Sequence, residues 1–154
     1  MDLGAVLKPE AIKVLGSLTS KKRLLQELSE IAASAYGMDA GKALDALQDR
    51  ESIGPTGVGD GVALPHAKFD LEGGVVGVFV RLDKPLDFDS VDRQPVDLIF
   101  ALFAPEQCGV SHLKALAVVA RAMRNPSTRA KLRANDDPAT LHAILSDAEQ
   151  NQAA

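Results

Sequence analysis

VDLIFALFA, residues 96–104, is apolar nearly throughout and too short for a typical helix. A run of this kind suits a central β-strand covered on both faces, because a strand with one wet face would alternate polar and apolar residues. Upstream, VVGVFVRL (75–82) has the β-branched and aromatic composition of a second strand, which Pro85 is expected to close. Between Glu51 and Gly61 helical periodicity vanishes. Val62 to Leu64 is a short apolar run ended by Pro65.

Helical signals surround these strands. Ser20 can cap a helix through about Tyr36, with Leu24, Leu28, Ile31 and Ala35 on one face and Gly37 as a left-handed stop. Asp39 is placed to cap a second helix to about Arg50, burying Leu44 and Leu47. Ser111 can cap a third of roughly 13 residues with Leu113, Leu116, Ala117 and Ala120 inward. Asn125-Pro126 and Asp137-Pro138 each pair an N-cap with proline at the first helical position, which predicts two short C-terminal helices. The second would use Leu141, Ile144 and Leu145, leaving His142 facing solvent. The expected class is α/β, a mixed and mostly buried sheet sandwiched by helices.

The totals bound the function. A chain of 154 residues, 46% hydrophobic and 25% charged, is one ordinary domain with its own core. A net charge of −4 argues against a nucleic-acid partner, which would call for a clustered basic surface. Cys108 stands alone, so no internal disulfide is possible and a reducing compartment is the natural reading. The amino terminus lacks the pattern of a signal peptide, and no stretch approaches the roughly 20 apolar residues of a membrane span. The expectation is a cytoplasmic protein with no membrane insertion.

GPTGVGDGVALPH (54–66) carries the chemical interest. Its spacing fits neither a P-loop nor a dinucleotide fingerprint, since no Lys-Ser follows and Gly57, Gly59 and Gly61 alternate before an apparent strand. A tight connection using glycine at positive φ is the plain alternative. Glycines also leave backbone N–H groups open, however, and a concave run of them binds anions. Arg50 at the loop's start could grip a phosphate with two N–H groups, and Pro65 restrains the backbone just before His66.

A neutral His66 is a competent nucleophile near pH 7, and the P–N bond it forms is labile. His112, in a first helical turn, sits in a field that disfavours imidazolium and favours a bound anion. Zinc is the competing constellation, with His66, His112, Cys108 and Asp60 supplying the atom types. None of the usual metal spacings is present, nor is a Gly-x-Ser-x-Gly hydrolase elbow.

RESIGPTGVGDGVALPH (50–66) resembles the phosphorylation-site signature of enzyme IIA domains of the bacterial phosphotransferase system, of the fructose/mannitol/nitrogen type. SHLKALAVVAR (111–121) is similar to the family's second histidine motif. VGVFVRLDKPLDFDSVDRQPVDLIFALFAP (76–105) most resembles the nitrogen-regulatory branch, enzyme IIA-Ntr. The resemblance implies one such domain over residues 1–147, followed by a polar tail, 148–154. It implies that His66 is phosphorylated by a phosphohistidine carrier, NPr or HPr, with His112 assisting and Arg50 contacting the phosphate. Backbone groups of Thr56, Gly57, Val58 and Gly59 would line the phosphate loop, and no cofactor or metal is implied. Pro55 departs from the family's common serine and removes a donor and a hydroxyl there. The branch implies a regulator whose phosphorylation state is read by partners such as potassium transport systems or sensor kinases. The alternative is a sugar-specific IIA phosphocarrier donating to a IIB domain.

Overall fold

A computed structural model describes residues 3–107 and 109–153. The element order is α1 (Leu3–Val6), β1 (Ile12–Leu15), α2 (Lys21–Tyr36), α3 (Ala40–Ile53), β2 (Gly57–Gly59), β3 (Val62–Ala63), β4 (His66–Phe69), β5 (Val76–Leu86), β6 (Val96–Pro105), α4 (Val110–Arg124), α5 (Pro126–Arg133) and α6 (Pro138–Ala153). The six strands form one mixed sheet in the order β1-β5-β6-β3-β2, with β4 also on β6. β6 is central, and every residue from Leu98 to Ala104 is buried, which requires cover on both faces. α2 and α3 pack on β5 and β4, while α4, α5 and α6 pack together and against β6 and β1. The α/β sandwich expected from sequence is the architecture found.

β3 and β4 lie along the same side of β6, both parallel to it, pairing Val62 with Leu98 and His66 with Leu102. They are in effect one strand broken at Pro65, whose carbonyl still accepts the Leu102 N–H at 2.9 Å. Proline can interrupt here because only its missing donor is lost. The break is what turns His66 out at the start of a new strand.

The short-range helix signals hold. Ser20, Asp39 and Asn125 accept from backbone N–H groups at their helix starts, and Gly37 closes α2 at φ 70°. Other expectations are corrected. Pro85 does not end its strand: β5 continues to Leu86 past a register shift, where proline interrupts no ladder bond. α4 starts at Val110 with Gly109 in the capping position, so Ser111 lies inside the first turn. Its buried face is Ala115, Val119, Ala122 and Met123, whereas Leu113 is 66% exposed and Ala117 is exposed. α3 runs on to Ile53 and buries Ala43 with Leu47, leaving Leu44 half-buried. His142 does not face solvent freely, since its Nε2 lies 2.9 Å from the Leu7 carbonyl oxygen. α6 extends to Ala153, across the segment read as a tail. Cys108 lies outside the described residues. Among the described residues no helix is long and apolar enough to cross a membrane.

Candidate active site

His66 opens β4, and one backbone contact fixes its ring. Nδ1 lies 2.8 Å from the Leu64 carbonyl oxygen, so Nδ1 carries the proton and donates it there. Nε2 therefore keeps the free lone pair. That nitrogen faces Arg50 in the last turn of α3, whose Nε–H points to it at 3.4 Å while Nη1 donates to Gly54 O at 2.9 Å. His112, in the first turn of α4, stands edge-on to His66 with ring centroids 5.5 Å apart and planes at 73°.

Burial is the main force holding His66 below its usual value of 6.5, and the Arg50 charge adds to it; the Leu64 bond opposes. His112 is also lowered, first by burial and then by His66 and Lys68. Both rings are therefore neutral near pH 7, the form in which an imidazole can act as a nucleophile or donate one hydrogen bond. They border a cleft of about 850 Å³, open to solvent and lined also by Ala46, Asp49, Lys68 and Gly109. Its rim carries Ile53, Val110 and Leu113, which are 83%, 64% and 66% exposed. Three exposed aliphatic side chains thus border the cleft that holds the His66 ring.

The phosphoenolpyruvate-dependent sugar phosphotransferase system EIIA 2 family model matches residues 5–148. The chain belongs to this family. It is 44% identical over 145 residues to a nitrogen regulatory protein of Bradyrhizobium diazoefficiens, covering 94% of this chain and 95% of that one. It is 37% identical over 150 residues to the nitrogen regulatory protein of Escherichia coli, covering 97% and 92%. The crystal structure of nitrogen regulatory protein IIA-Ntr from Neisseria meningitidis superposes with a TM-score of 0.85 at 33% identity, covering 93% of this chain and 98% of that one.

Within this EIIA 2 frame the structure brings Arg50, His66 and His112 together but leaves the glycine loop elsewhere. Thr56, Gly57, Val58 and Gly59 are not in the His66 cleft; Val58 and Gly59 line a smaller hollow with Leu64, Ala120 and Met123. The Thr56 N–H is donated to the Glu51 carboxylate at 3.2 Å and its hydroxyl donates to the same group, while Gly57 and Gly59 form a hairpin on β3. Gly57 is required because a Cβ there would overlap the Ser90 side chain, and Gly61 because of its φ of 78°.

Sequence reasoning missed Glu51 and Lys68. Lys68 shares the face of β4 with His66 by two-residue alternation and lines the cleft, a signal the strand period could have given had β4 been recognised. Glu51 has a side chain only 6% exposed, with Lys21 Nζ 2.6 Å away. No spacing rule points to it.

Proposed function

We propose that this protein is a nitrogen-regulatory IIA protein of the phosphotransferase system, phosphorylated on Nε2 of His66. The observation that carries the reading is the fixed tautomer, with Nδ1–H committed to Leu64 O and the Nε2 lone pair facing Arg50. The donor is a phosphohistidine carrier, NPr or HPr, docking on the Ile53, Val110 and Leu113 rim. Nε2 attacks phosphorus, the P–N bond to the carrier breaks, and its electron pair returns to the carrier's imidazole. His66 keeps its Nδ1 proton throughout, so the positive charge passes from one ring to the other. The transition state spreads charge over the phosphoryl oxygens, where Arg50 can stabilise it. For His112, the tautomer that strands no buried N–H carries its proton on Nε2, because Nδ1 is enclosed without a partner. That proton is available to a phosphoryl oxygen.

Phosphorylation adds charge and acceptor oxygens at one exposed cleft, and partners such as potassium transport systems or sensor kinases would read it. The setting would be the cytoplasm, where such carriers act. Incubation with enzyme I, or its nitrogen-branch homologue, together with carrier and phosphoenolpyruvate should add one acid-labile phosphate. His66→Ala should fold and take up none, and unchanged labelling in that variant would remove the assignment. The sugar-specific reading draws support from a 31% identical relative, a fructose-specific EIIA component of Haloferax volcanii. Rapid withdrawal of the phosphate by a IIB domain, with sugar uptake dependent on this protein, would favour that reading.

A further inference from the structure

Glu51 occupies a place that stability alone does not favour. It lies in the last turn of α3, where the helix macrodipole is negative and a carboxylate costs free energy. Its side chain is nevertheless only 6% exposed, and its two oxygens are taken up by Lys21 and by the N–H and hydroxyl of Thr56. Buried ion pairs are weak sources of stability, and their better-attested use is to specify one arrangement.

Thr56 is the junction through which that arrangement reaches both members of the reacting pair. Its N–H and hydroxyl fix it to Glu51. Its carbonyl accepts the Leu64 N–H at 2.9 Å, and the Leu64 carbonyl in turn holds Nδ1 of His66. In the other direction only Pro55, with its restricted φ, separates Thr56 from Gly54, whose carbonyl anchors Nη1 of Arg50. One carboxylate thus indexes the helix end bearing Arg50 and the strand start bearing His66 to a single residue.

We propose that Glu51, through Thr56 and with Lys21 as its counter-charge, is a positioning residue that sets Arg50 and His66 in register for phosphoryl transfer. The proposal rests on the acceptor role of His66. Glu51 does not line the cleft, so on this reading it meets neither the phosphoryl group nor the carrier. Its loss should therefore leave docking intact and slow the chemical step, since small misplacements of reacting groups cost rates on the order of 10- to 100-fold.

The test is steady-state transfer from phosphorylated carrier to wild type, Glu51→Gln, Arg50→Ala and the double variant, with folding checked by circular dichroism. Glu51→Gln should lower kcat by about 10-fold or more with carrier KM unchanged. The same substitution should cost much less in the Arg50→Ala background, because part of what Glu51 positions is then absent. A loss in KM alone, or equal losses in both backgrounds, would overturn the proposal. Should Glu51→Gln fail to fold, Thr56→Val carries the test. It removes only the hydroxyl contact and should lower kcat several-fold, on the order of one hydrogen bond; wild-type kcat in it would overturn the idea equally. Absence of labelling in the wild type would instead strike the acceptor reading itself, whereas a labelled wild type beside a fully active Glu51→Gln strikes only the positioning role.

Discussion

In the 57–61 hairpin, the space beside each glycine that a side chain would need is occupied by another element. Ser90 presses against Gly57, and the Arg133–Asp97 ion pair closes over Gly61. In the His66 cleft the reverse holds: the backbone is already paired, and side chains from α3, β4 and α4 converge on open space. The two regions are adjacent in sequence, and both belong to the stretch expected to form one phosphate loop. Only the second lines the cleft that holds both histidines. Glycines mark where backbone must be approached closely, and the approaching group here is the protein itself.

That contrast can be broken by mutation. The largest effect should come from Arg50→Ala, which removes the cation beside the acceptor nitrogen and should slow transfer about 10²- to 10³-fold. Its thermal unfolding should change little, as judged by parallel calorimetry. Gly61→Val should do the opposite. It forces a β-branched residue to φ 78° against Arg133 and Asp97, and should cost about 3 kcal/mol in urea unfolding. The fraction that remains folded should label normally, and a slow but stable Gly61→Val would mean that the hairpin does belong to the site.

His112→Ala should slow transfer roughly tenfold, the worth of about one hydrogen bond at the transition state. The His66 phosphate should still form, detectable as one acid-labile group.

The smallest effect is on pH dependence. Both cleft histidines are held below 6.5 in the folded protein, so the unfolded chain takes up their protons first as pH falls. Their neutral-state contribution to stability is complete above 6.5 and is lost as pH drops from 6.5 toward the folded values. Urea midpoints should fall over that window, and less steeply in a His66→Ala/His112→Ala double variant. Acceptor activity should persist somewhat below pH 6.5, because His66 remains neutral there.

Signals that act over three or four residues were legible in the sequence. The caps at Ser20, Asp39 and Asn125 and the two helix-opening prolines fall where local hydrogen bonding puts them. The run of β6, eight apolar residues in nine, announced a central strand because both of its faces need cover. β1 and β4 were not legible. Each has four residues, and each exists through pairing with a distant strand rather than through its own pattern. The inward face of α4 differs from the expected one because leucine outranks alanine on a hydrophobicity scale. The helix instead buries Ala115 and Ala122 in close contact and spends Leu113 on the cleft rim. Among site residues, Arg50, His66 and His112 followed from chemistry and resemblance. Glu51 did not, because its role lies in contacts that cross a helix end and a turn.

If His66 is the acceptor proposed above, the strand broken at Pro65 has a consequence for signalling. His66 sits in register opposite Leu102 of β6, whose N–H donates to the Pro65 carbonyl and whose neighbours from Leu98 to Ala104 are buried. Such a segment opens only with the whole domain and cannot shift by a fraction of an ångström without disturbing close packing on both faces. A phosphoryl group mounted there has a rigid post behind it and no hinge to pull. The difference between the two states would then be carried outward as an altered surface potential around one cleft, and a partner would sense it by touch rather than by a change of shape.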